Sequence, residues 1–489
     1  MTRSPLPSVP SRLLDVEVGD TARKGEPLAA VLTSDGESPF ADVADRVRAT
    51  GKAGEVHVVP GDDGPRWLVG VGGGEEKQYR AAGAAFIRAA NAFAEAESDA
   101  GRKAPKRVHV QLPADAGSEE YAAFATGALL GGYRYRVSSE EPKASVRTVR
   151  LLTEAASTHE GAVSRARELA ASSALARDLA NTPANVKNPA WLADVAEKAA
   201  DEVPGLSVTV RDEEWLAAQG FGGVLAVGGG SVSPPRLIEL NHRPRGATTH
   251  LLLVGKGITF DTGGISIKPA QGMHLMRTDM SGGGAVIAAM RAIAALRLGV
   301  RVTGLVPAAE NHVSGSSYRP GDVVRHYGGR TTEVANTDAE GRMVLADAIA
   351  YGVQRYRPDA VVDVATLTGA MKVALGLRTG GLFASDDELA ERVRAAGERA
   401  GEQWWRMPLL EDHAADVHSD IADVRQAPPG PGGITAALFL REFTAGLPWA
   451  HLDIAGPARS EKNYDEVVPG GTGFAARTLV ELAASYVTG

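Results

Sequence analysis

The segment at residues 249–264 is THLLLVGKGITFDTGG, an apolar run followed by a stretch in which glycine recurs. The apolar run, residues 249–254, has the length and composition of a buried strand, and the glycines after it indicate a turn or loop. Farther along, helical and strand patterns alternate, with helices at 283–296 and 343–356 and strands at 300–306 and 360–364. This alternation predicts an α/β fold with a largely parallel or mixed central sheet flanked by helices. In such sheets, functional residues gather where parallel strands end at the carboxyl edge.

The first part of the chain shows a separate alternation of the same kind. Strand patterns occur at 28–32, 55–59, 66–70 and 107–112, with helical patterns at 78–96 and 119–131. They predict a smaller N-terminal α/β domain, and a chain of 489 residues is long enough for two or three domains. A long helical pattern at 159–180 leads into the second domain. We place the domains at residues 1–165 and 166–489.

Bulk composition limits the classes of function. The chain carries 52 Lys and Arg residues against 60 Asp and Glu residues, a formal net charge of −8, which argues against a dedicated nucleic-acid binder. It contains no cysteine, so disulfides, thiolate metal ligands and a cysteine nucleophile are excluded. Residues 1–16 lack the apolar run of a secretory signal, and no stretch approaches about 18 uncharged apolar residues. We therefore predict a cytoplasmic protein without a membrane span.

The segment from Asn336 to Arg342, NTDAEGR, sets two carboxylates two residues apart, directly before the helical pattern at 343–356. On an extended segment, residues two apart point to the same side, so Asp338 and Glu340 would converge on one point. Two converging carboxylates repel each other unless a cation neutralises them. Because Asp and Glu are hard oxygen ligands, the segment predicts a divalent metal site.

Two further carboxylates, Asp261 and Asp279, extend this hypothesis. Together with Asp338 and Glu340 they would bring four negative charges, which balance two divalent cations, an arrangement typical of metal-assisted hydrolysis. Two other interpretations of residues 254–264 stay open at this point. The glycines could form ordinary turns with Lys256 and Asp261 as a surface ion pair. A phosphate-binding loop is the other interpretation, although there Ser or Thr should follow the lysine and Gly257 follows Lys256.

Other hydrolase patterns are missing from the sequence. A HExxH motif is absent, because Val163 stands where His159-Glu160 would require a second histidine. No Gly-x-Ser-x-Gly elbow occurs between a strand and a helix. The isolated histidines are predicted to be structural rather than metal ligands; they are His312, His326 and His451.

Taken together, these segments resemble the leucyl (cytosol) aminopeptidase family. The likeness covers roughly residues 177–484 and rests on NTDAEGR at 336–342, VGKGITFDTGGISIKP at 254–269, ENHVSGSSYRPGDV at 310–323, ATLTGA at 365–370, GGITAALFLREF at 432–443 and PWAHLDIAG at 448–456. The N-terminal domain is only loosely similar to that family. Residues 166–489 would then form a catalytic metallopeptidase domain.

The resemblance implies a metal-dependent aminopeptidase, a hydrolase that removes the N-terminal residue of peptides through a water bridging two divalent ions, Mn²⁺ or Zn²⁺. It implies broad specificity with a bias to Leu and Met, a bicarbonate as general base, and a homohexamer. Its metal ligands would be Asp261 and Glu340 for both ions, Asp338 for one ion, and Lys256 and Asp279 for the other. Lys268 and Arg342 correspond to the family's two catalytic cations, and Met276, Thr366 and Gly369 to its pocket for the first side chain.

The chain departs from the family's pattern at a few positions. His274 and Leu275 stand where many relatives carry an acidic or polar pair, and Gln426 stands where an asparagine is usual; these departures concern specificity and loop geometry. Nucleic-acid binding by the N-terminal domain is an alternative of a different class. Its basic residues are more simply interpreted as a solvated face, so nucleic acid is not expected as a partner; they are Arg102, Lys103, Lys106, Arg107, Arg134 and Arg136.

Overall fold

The computed structural model describes residues 9–34, 39–60 and 66–487 of the chain. The chain divides into two compact units, one formed by Met1–Ala174 with Glu461–Pro469 and the other by Leu175–Ser460 with Gly470–Gly489. The domain boundary that we placed at residue 165 precedes this division. No helix of the described ranges is long and apolar enough to cross a membrane. The prediction about residues 1–16 falls partly outside the described residues, since these begin at residue 9.

The first unit is built on a six-stranded sheet. Its strands are β1 Asp15–Gly19, β2 Leu28–Leu32, β3 Val56–Val58, β4 Trp67–Gly70, β5 Arg107–Gln111 and β6 Thr148–Leu152. They are ordered β1-β6-β5-β2-β4-β3, and only β3 is antiparallel to its neighbour. The helices are α1 Ala41–Val47, α2 Glu76–Asp99 and α3 Ser118–Gly131, and α4 Ala156–Asn181 carries the chain into the second unit.

Helices α2 and α3 approach each other closely because glycine lies at both contact points. A Cβ atom on Gly83 would overlap the carbonyl oxygen of Phe124, and one on Gly127 would overlap that of Arg80. Trp67 of β4 and Phe86 of α2 are fully buried in the same core, with ring centroids 5.7 Å apart in an edge-to-face arrangement. The predicted N-terminal α/β domain is therefore confirmed as an α/β unit with its own core.

The second unit contains the remaining elements of the chain. Its strands are β7 Leu206–Arg211, β8 Arg236–His242, β9 His250–Gly255, β10 Gly257–Asp261, β11 Arg301–Asn311, β12 Val323–Arg325, β13 Thr331–Glu333, β14 Ala360–Ala365, β15 Thr379–Ala384, β16 Gln403–Arg406, β17 Val424–Arg425, β18 Trp449–Asp453, β19 Arg459–Ser460 and β20 Gly470–Gly471. Its helices are α5 Pro189–Asp201, α6 Glu213–Gln219, α7 Gly222–Gly228, α8 Ser281–Ala295, α9 Glu340–Tyr356, α10 Gly369–Leu375, α11 Asp387–Ala400, α12 Gly432–Arg441 and α13 Ala476–Ala484. Short 3₁₀ helices lie at Met273–Thr278, Glu411–His413 and Ala415–Val417.

The main sheet of this unit is parallel at its centre, with antiparallel pairs on either side and a parallel pair, β15–β16, at one edge. Its order is β16-β15-β18-β14-β9-β11-β8-β7, with β10 paired to β11. The pairs β9–β11, β9–β14, β14–β18 and β10–β11 are parallel, whereas β7–β8, β8–β11 and β15–β18 are antiparallel. The predicted mixed, largely parallel sheet is confirmed. Its parallel centre brings the carboxyl ends of several strands to one edge.

Helices cover both faces of this sheet. Gly304 and Leu305 are neighbours on β11, so they face opposite sides. A Cβ atom on Gly304 would lie 2.8 Å from Met290 of α8, and one on Gly352 of α9 would lie 2.9 Å from Leu305. Helix α8 therefore packs on one face and α9 on the other, and both begin at the edge where the parallel strands end.

Candidate metal centre

The residues singled out in the sequence gather around the carboxyl ends of the parallel strands. Lys256 directly follows β9, Asp261 is the last residue of β10, and Thr366 directly follows β14. Asp279 follows the 3₁₀ helix Met273–Thr278, and Glu340 is the first residue of α9. The sheet topology, rather than nearness in sequence, thus brings these residues to one place.

Lys256 lies at the middle of one half of the cluster. Its Nζ atom is 2.9 Å from Asp279 Oδ2 and 2.8 Å from Glu340 Oε1, and it donates a hydrogen bond to the carbonyl oxygen of Thr366 at 3.0 Å. Lys256 and Asp261 are both buried, so the interpretation of these two residues as a surface ion pair is wrong. Burial alone would lower the pKa of Lys256, but Asp279, Glu340 and Asp261 outweigh it and raise that pKa above its ordinary value.

Lys268 occupies the other half of the cluster. Its Nζ atom lies 2.8 Å from Asp261 Oδ2 and also forms an ion pair with Asp338. Burial opposes the charge, but Asp261 and its neighbours raise the pKa of Lys268. In the metal-free protein, each of the two lysines therefore lies between two of the four carboxylates.

The NTDAEGR segment is not extended, which corrects our prediction. Thr337 and Asp338 form a turn, closed by a hydrogen bond from Ala339 N to Asn336 O at 3.0 Å, and helix α9 begins at Glu340. The helix also begins three residues earlier than the pattern at 343–356 indicates. The two carboxylates nevertheless converge: one oxygen each from Asp261, Asp338 and Glu340 lies within 4.8 Å of the others.

The cluster suits a divalent cation. Burial, followed by repulsion from Asp261, raises the pKa of Glu340 to about 8. Burial and repulsion from Asp279 also raise the pKa of Asp261. Among the described residues, no donor hydrogen-bonds the buried Oε2 atom of Glu340. A hard cation stabilises buried carboxylate oxygens that repel one another and lack hydrogen-bond donors. The residues present therefore fit metal binding.

Arg342 lies on the first turn of α9 and is buried. Its Nη1 atom donates to the carbonyl oxygen of Gln426 at 2.6 Å, while its Nε atom finds no hydrogen-bond acceptor in the part of the chain that the structure describes. Burial lowers the pKa of Arg342 to about 10, although Glu340 and Asp453 oppose this. A buried guanidinium with an unused donor beside the cluster suits a small anion.

The three residues expected to line a side-chain pocket lie around the same edge. Met276 is half-buried on the 3₁₀ helix, and Gly369, the first residue of α10, is exposed with open space around its Cα. Thr366 also supports the cluster, because its Oγ1 atom donates to Asp279 Oδ1 at 2.7 Å and its carbonyl oxygen accepts from Lys256.

Two supporting residues were not given a role from the sequence. Asn311, the last residue of β11, donates from Nδ2 to Asp261 Oδ1 at 2.8 Å and to Thr337 O at 3.0 Å. Its place at the end of a strand beside β10 is the signal that could have identified it. Tyr318 donates to the same carbonyl of Thr337 at 2.9 Å. These bonds tie the Asp261 strand to the turn that carries Asp338.

The isolated histidines have partners outside the carboxylate cluster. His326 Nδ1 lies 2.8 Å from Asp347 Oδ1, and His451 Nδ1 lies 2.6 Å from Asp363 Oδ1; all four side chains are buried. His312 is exposed, with Nδ1 at 3.0 Å from Val313 O. The candidate centre therefore uses carboxylate and amine groups.

The second unit is thus an α/β domain with carboxylates and two lysines gathered at the carboxyl edge of its sheet, an arrangement that suits a metal-dependent hydrolase. Residues 174–480 match the family model described as the cytosol aminopeptidase family, catalytic domain. The chain belongs to the cytosol aminopeptidase family and is a metal-dependent aminopeptidase, which confirms the resemblance and the predicted enzyme class.

Individual relatives cover nearly the whole chain. It is 44% identical over 476 residues to a probable cytosol aminopeptidase of Streptomyces coelicolor, covering 92% of this chain and 90% of that protein. It is 41% identical to one of Solibacter usitatus, covering 99% and 98%. Among solved structures, a tomato leucine aminopeptidase mutant matches with a TM-score of 0.86 and 32% identity over 99% of this chain and 98% of that one. The bottromycin maturation enzyme BotP in complex with Mn matches with a TM-score of 0.84 and 39% identity, covering 95% and 100%.

A Gly341→Ala substitution is expected to displace Lys256. A Cβ atom at position 341 would lie 2.7 Å from Lys256 Cε and 2.9 Å from Nζ, so the lysine has to move away from Asp279 and Glu340. We expect Mn²⁺ affinity and leucyl-p-nitroanilide turnover to fall by about 10- to 100-fold.

The matched control for this test is Gly161→Ala, since Gly161 lies on α4 with no atom within 4 Å of its added Cβ. Both variants are compared by metal titration, steady-state kinetics and circular dichroism. Unchanged Mn²⁺ affinity in Gly341→Ala would show that the position of Lys256 does not matter to the centre.

Proposed function

We propose that this aminopeptidase removes the first residue of peptides, with a bias to Leu and Met, at a centre of two Mn²⁺ or Zn²⁺ ions held by Lys256, Asp261, Asp279, Asp338 and Glu340. The convergence of these five buried or half-buried side chains at one sheet edge is the observation that supports it. When bound, the two ions supply Lewis acidity and lower the pKa of a water molecule.

The positions of the two lysines suggest how the ligands divide between the ions. Lys256 contacts Asp279 and Glu340, whereas Lys268 contacts Asp261 and Asp338. We assign Lys256 and Asp279 to one ion and Asp338 to the other. Asp261 pairs with Lys268 and Glu340 with Lys256, but their oxygens lie within 4.8 Å of each other, so we assign both residues to both ions.

Lysine can act as a ligand only as the neutral amine. In the metal-free protein the surrounding carboxylates hold Lys256 in its charged form, as the raised pKa indicates. Lys256 would lose its proton on serving as a ligand, because a dication held by the same carboxylates would neutralise them and disfavour the ammonium form.

Two positively charged side chains, Lys268 and Arg342, are assigned to the reaction itself. Lys268, which stays charged beside Asp261 and Asp338, would stabilise the negative charge that develops on the carbonyl oxygen of the peptide. Arg342, with its unused Nε donor, would hold a bicarbonate that accepts a proton as general base.

Restriction to the first residue follows from the chemistry of the site. A free α-amino group offers a lone pair that an acylated one lacks, so a blocked peptide loses one interaction with the centre. Met276, Thr366 and Gly369 would form the pocket for the first side chain. An apolar pocket separates residues that differ by one methylene by only about 1–3 kcal/mol, which implies broad specificity.

The finer properties of the family are proposed for this chain as well. We propose a cytoplasmic homohexamer that acts on peptides. Large apolar side chains of the second unit are exposed at Trp405 and Ile421, each 63% exposed, and subunit association would cover such positions.

The proposed function is tested with enzyme stripped of metal by a chelator. We expect leucyl-p-nitroanilide to be hydrolysed only after Mn²⁺ or Zn²⁺ is restored, and N-acetyl-leucyl-p-nitroanilide to react at least about 100-fold more slowly. Methionyl and alanyl p-nitroanilides measure the side-chain bias in the same assay. Full turnover by the stripped enzyme, or equal rates on free and blocked substrates, would refute the proposal.

A further inference from the structure

The proposed mechanism gives no role to Gln426, a buried residue beside the turn that carries Asp338. It follows the short strand β17, and its side chain is fully inaccessible to solvent. Family resemblance leads us to expect an asparagine at this position, one methylene shorter. The extra length has a specific use in this chain.

The side-chain amide of Gln426 bonds both ends of the turn that carries Asp338. Its Oε1 atom accepts hydrogen bonds from Ala335 N at 3.1 Å and Asn336 N at 3.0 Å. Its Nε2 atom donates to Ala339 O at 3.1 Å. Ala339 directly precedes Glu340, so one amide group fixes the backbone on either side of Asp338 and up to Glu340.

The backbone of Gln426 is itself bonded to Arg342 and to a small three-stranded sheet, which is formed by β12, β13 and β17. Its N–H donates to Glu333 O at 3.0 Å, which continues the parallel pairing of β13 with β17. Its carbonyl oxygen accepts from Arg342 Nη1 at 2.6 Å. Gln426 thereby links this small sheet to three parts of the site. They are the turn with Asp338, the start of α9 with Glu340, and the guanidinium of Arg342.

Only an amide of this length can make all three side-chain bonds. A carboxylate has no proton to donate, so it would place an oxygen against the carbonyl oxygen of Ala339. An apolar side chain would leave the N–H groups of Ala335 and Asn336 without a partner. An asparagine, being shorter, could keep the bonds on one side of the turn but not on both.

We propose that Gln426 is a positioning residue that sets the placement of Asp338, Glu340 and Arg342 and thereby determines metal affinity and turnover. The inference rests on the proposed function, because it takes Asp338 and Glu340 to be metal ligands. Gln426 touches neither substrate nor metal in this role, and acts only through the loop that it holds. Residues in this position around a metal site commonly change metal affinity or activity by about 10- to 100-fold when replaced.

The test compares Gln426→Met, which keeps the volume and removes the amide, with Gln426→Asn, which keeps an amide and shortens it. Gln354→Met is the matched control, because Gln354 is exposed on α9. Mn²⁺ binding to the metal-free proteins is followed by electron paramagnetic resonance of free Mn²⁺. Hydrolysis of leucyl-p-nitroanilide is then measured at saturating Mn²⁺.

We expect the Mn²⁺ dissociation constant of Gln426→Met to rise by about 10- to 100-fold, with Gln426→Asn between it and the parent. At saturating Mn²⁺, kcat should stay about tenfold low while KM changes little, since the displaced groups act on the reaction rather than on the substrate side chain. Parent-like Mn²⁺ affinity and kcat in Gln426→Met would overturn the inference.

If Gln426→Met does not fold, Gln426→Asn decides the question by the same two measurements, and parent-like values there overturn the inference. The control Gln354→Met should match the parent in both. Absence of Mn²⁺ binding by the parent protein would instead be a failure of the proposed function, so the two ideas fail in different ways.

Discussion

Glu340→Gln is expected to abolish metal-dependent aminopeptidase activity while leaving the protein folded. Glu340 lies at the start of α9 with its carboxylate between Lys256 and the carboxylates of Asp261 and Asp338. Glutamine has nearly the same shape but no charge, and one of its two terminal groups is a donor that repels a cation. Loss of a ligand assigned to both ions should lower kcat/KM by about 10⁴-fold, or about 5 kcal/mol of transition-state stabilisation.

The same substitution should not destabilise the metal-free protein. The folded-state pKa of Glu340 is raised to about 8, above the ordinary value of a glutamate. A carboxyl group of this kind costs stability progressively as the pH rises above its unfolded-state pKa, up to the folded-state pKa. A neutral amide removes this cost at pH 7, although Lys256 loses one of its partners. The thermal midpoint of the metal-free variant should therefore equal or exceed that of the metal-free parent.

The measurements are leucyl-p-nitroanilide kinetics with Mn²⁺ and thermal unfolding after chelation. Glu197→Gln is the control, because Glu197 is exposed on α5 in the same unit and should change neither quantity. Activity within tenfold of the parent in Glu340→Gln would exclude Glu340 as a ligand of both ions. A large drop in metal-free stability would show that Glu340 mainly supports the fold.

The alternation of short apolar runs with helical patterns was sufficient to predict the α/β class and the parallel centre of the second sheet. Strands β9, β11 and β14 are buried along most of their length, so they appear in sequence as nearly continuous apolar runs. The antiparallel pairing of β8 on one side and β15 on the other was not predicted. Neither segment was singled out as a strand in the sequence, and the direction of a strand depends on how the chain returns to the sheet.

The candidate site was predictable as a set of residues but not as a geometry. Charge counting brought Asp261, Asp279, Asp338 and Glu340 together, whereas the extended backbone assumed for Asp338 and Glu340 was wrong. The turn depends on Asn336, whose Oδ1 accepts from Asp338 N at 2.9 Å, and this local bond competes with an extended conformation. Convergence of the two carboxylates is therefore produced by a turn followed by a helix start.

The segments that contain residues acting through tertiary contacts do not show which distant part of the chain those residues contact. Gln426 lies about ninety positions from the turn that it holds, and nothing in its own segment indicates that loop. Lys187 is another example, since its buried Nζ donates to Leu179 O at 2.7 Å and to Ala180 O at 3.2 Å. A buried lysine whose partners are backbone carbonyls leaves no charge pattern from which its position could be inferred.

Lys268→Met is expected to reduce kcat by about 10²- to 10³-fold, the range seen when one preorganised donor to a developing negative charge is removed. Methionine is unbranched and only one atom shorter than lysine, but it cannot donate a hydrogen bond or carry charge. Lys268 is only 20% exposed and lies against Asp261 and Asp338, so its charge acts in a poorly hydrated site where it is weakly screened.

The separate changes in kcat, KM and metal affinity distinguish this role from a structural one. If Lys268 acts on the reacting carbonyl, kcat falls while KM for leucyl-p-nitroanilide changes little, because the interaction forms mainly in the transition state. Mn²⁺ affinity should hold or increase, since removing an ammonium that pairs with Asp261 and Asp338 leaves both carboxylates free for the ion. Lys198→Met, at an exposed position on α5, is the control. A drop in Mn²⁺ affinity that accounts for the whole loss of activity would mean that Lys268 only organises the carboxylates, and the role in catalysis would have to be given up.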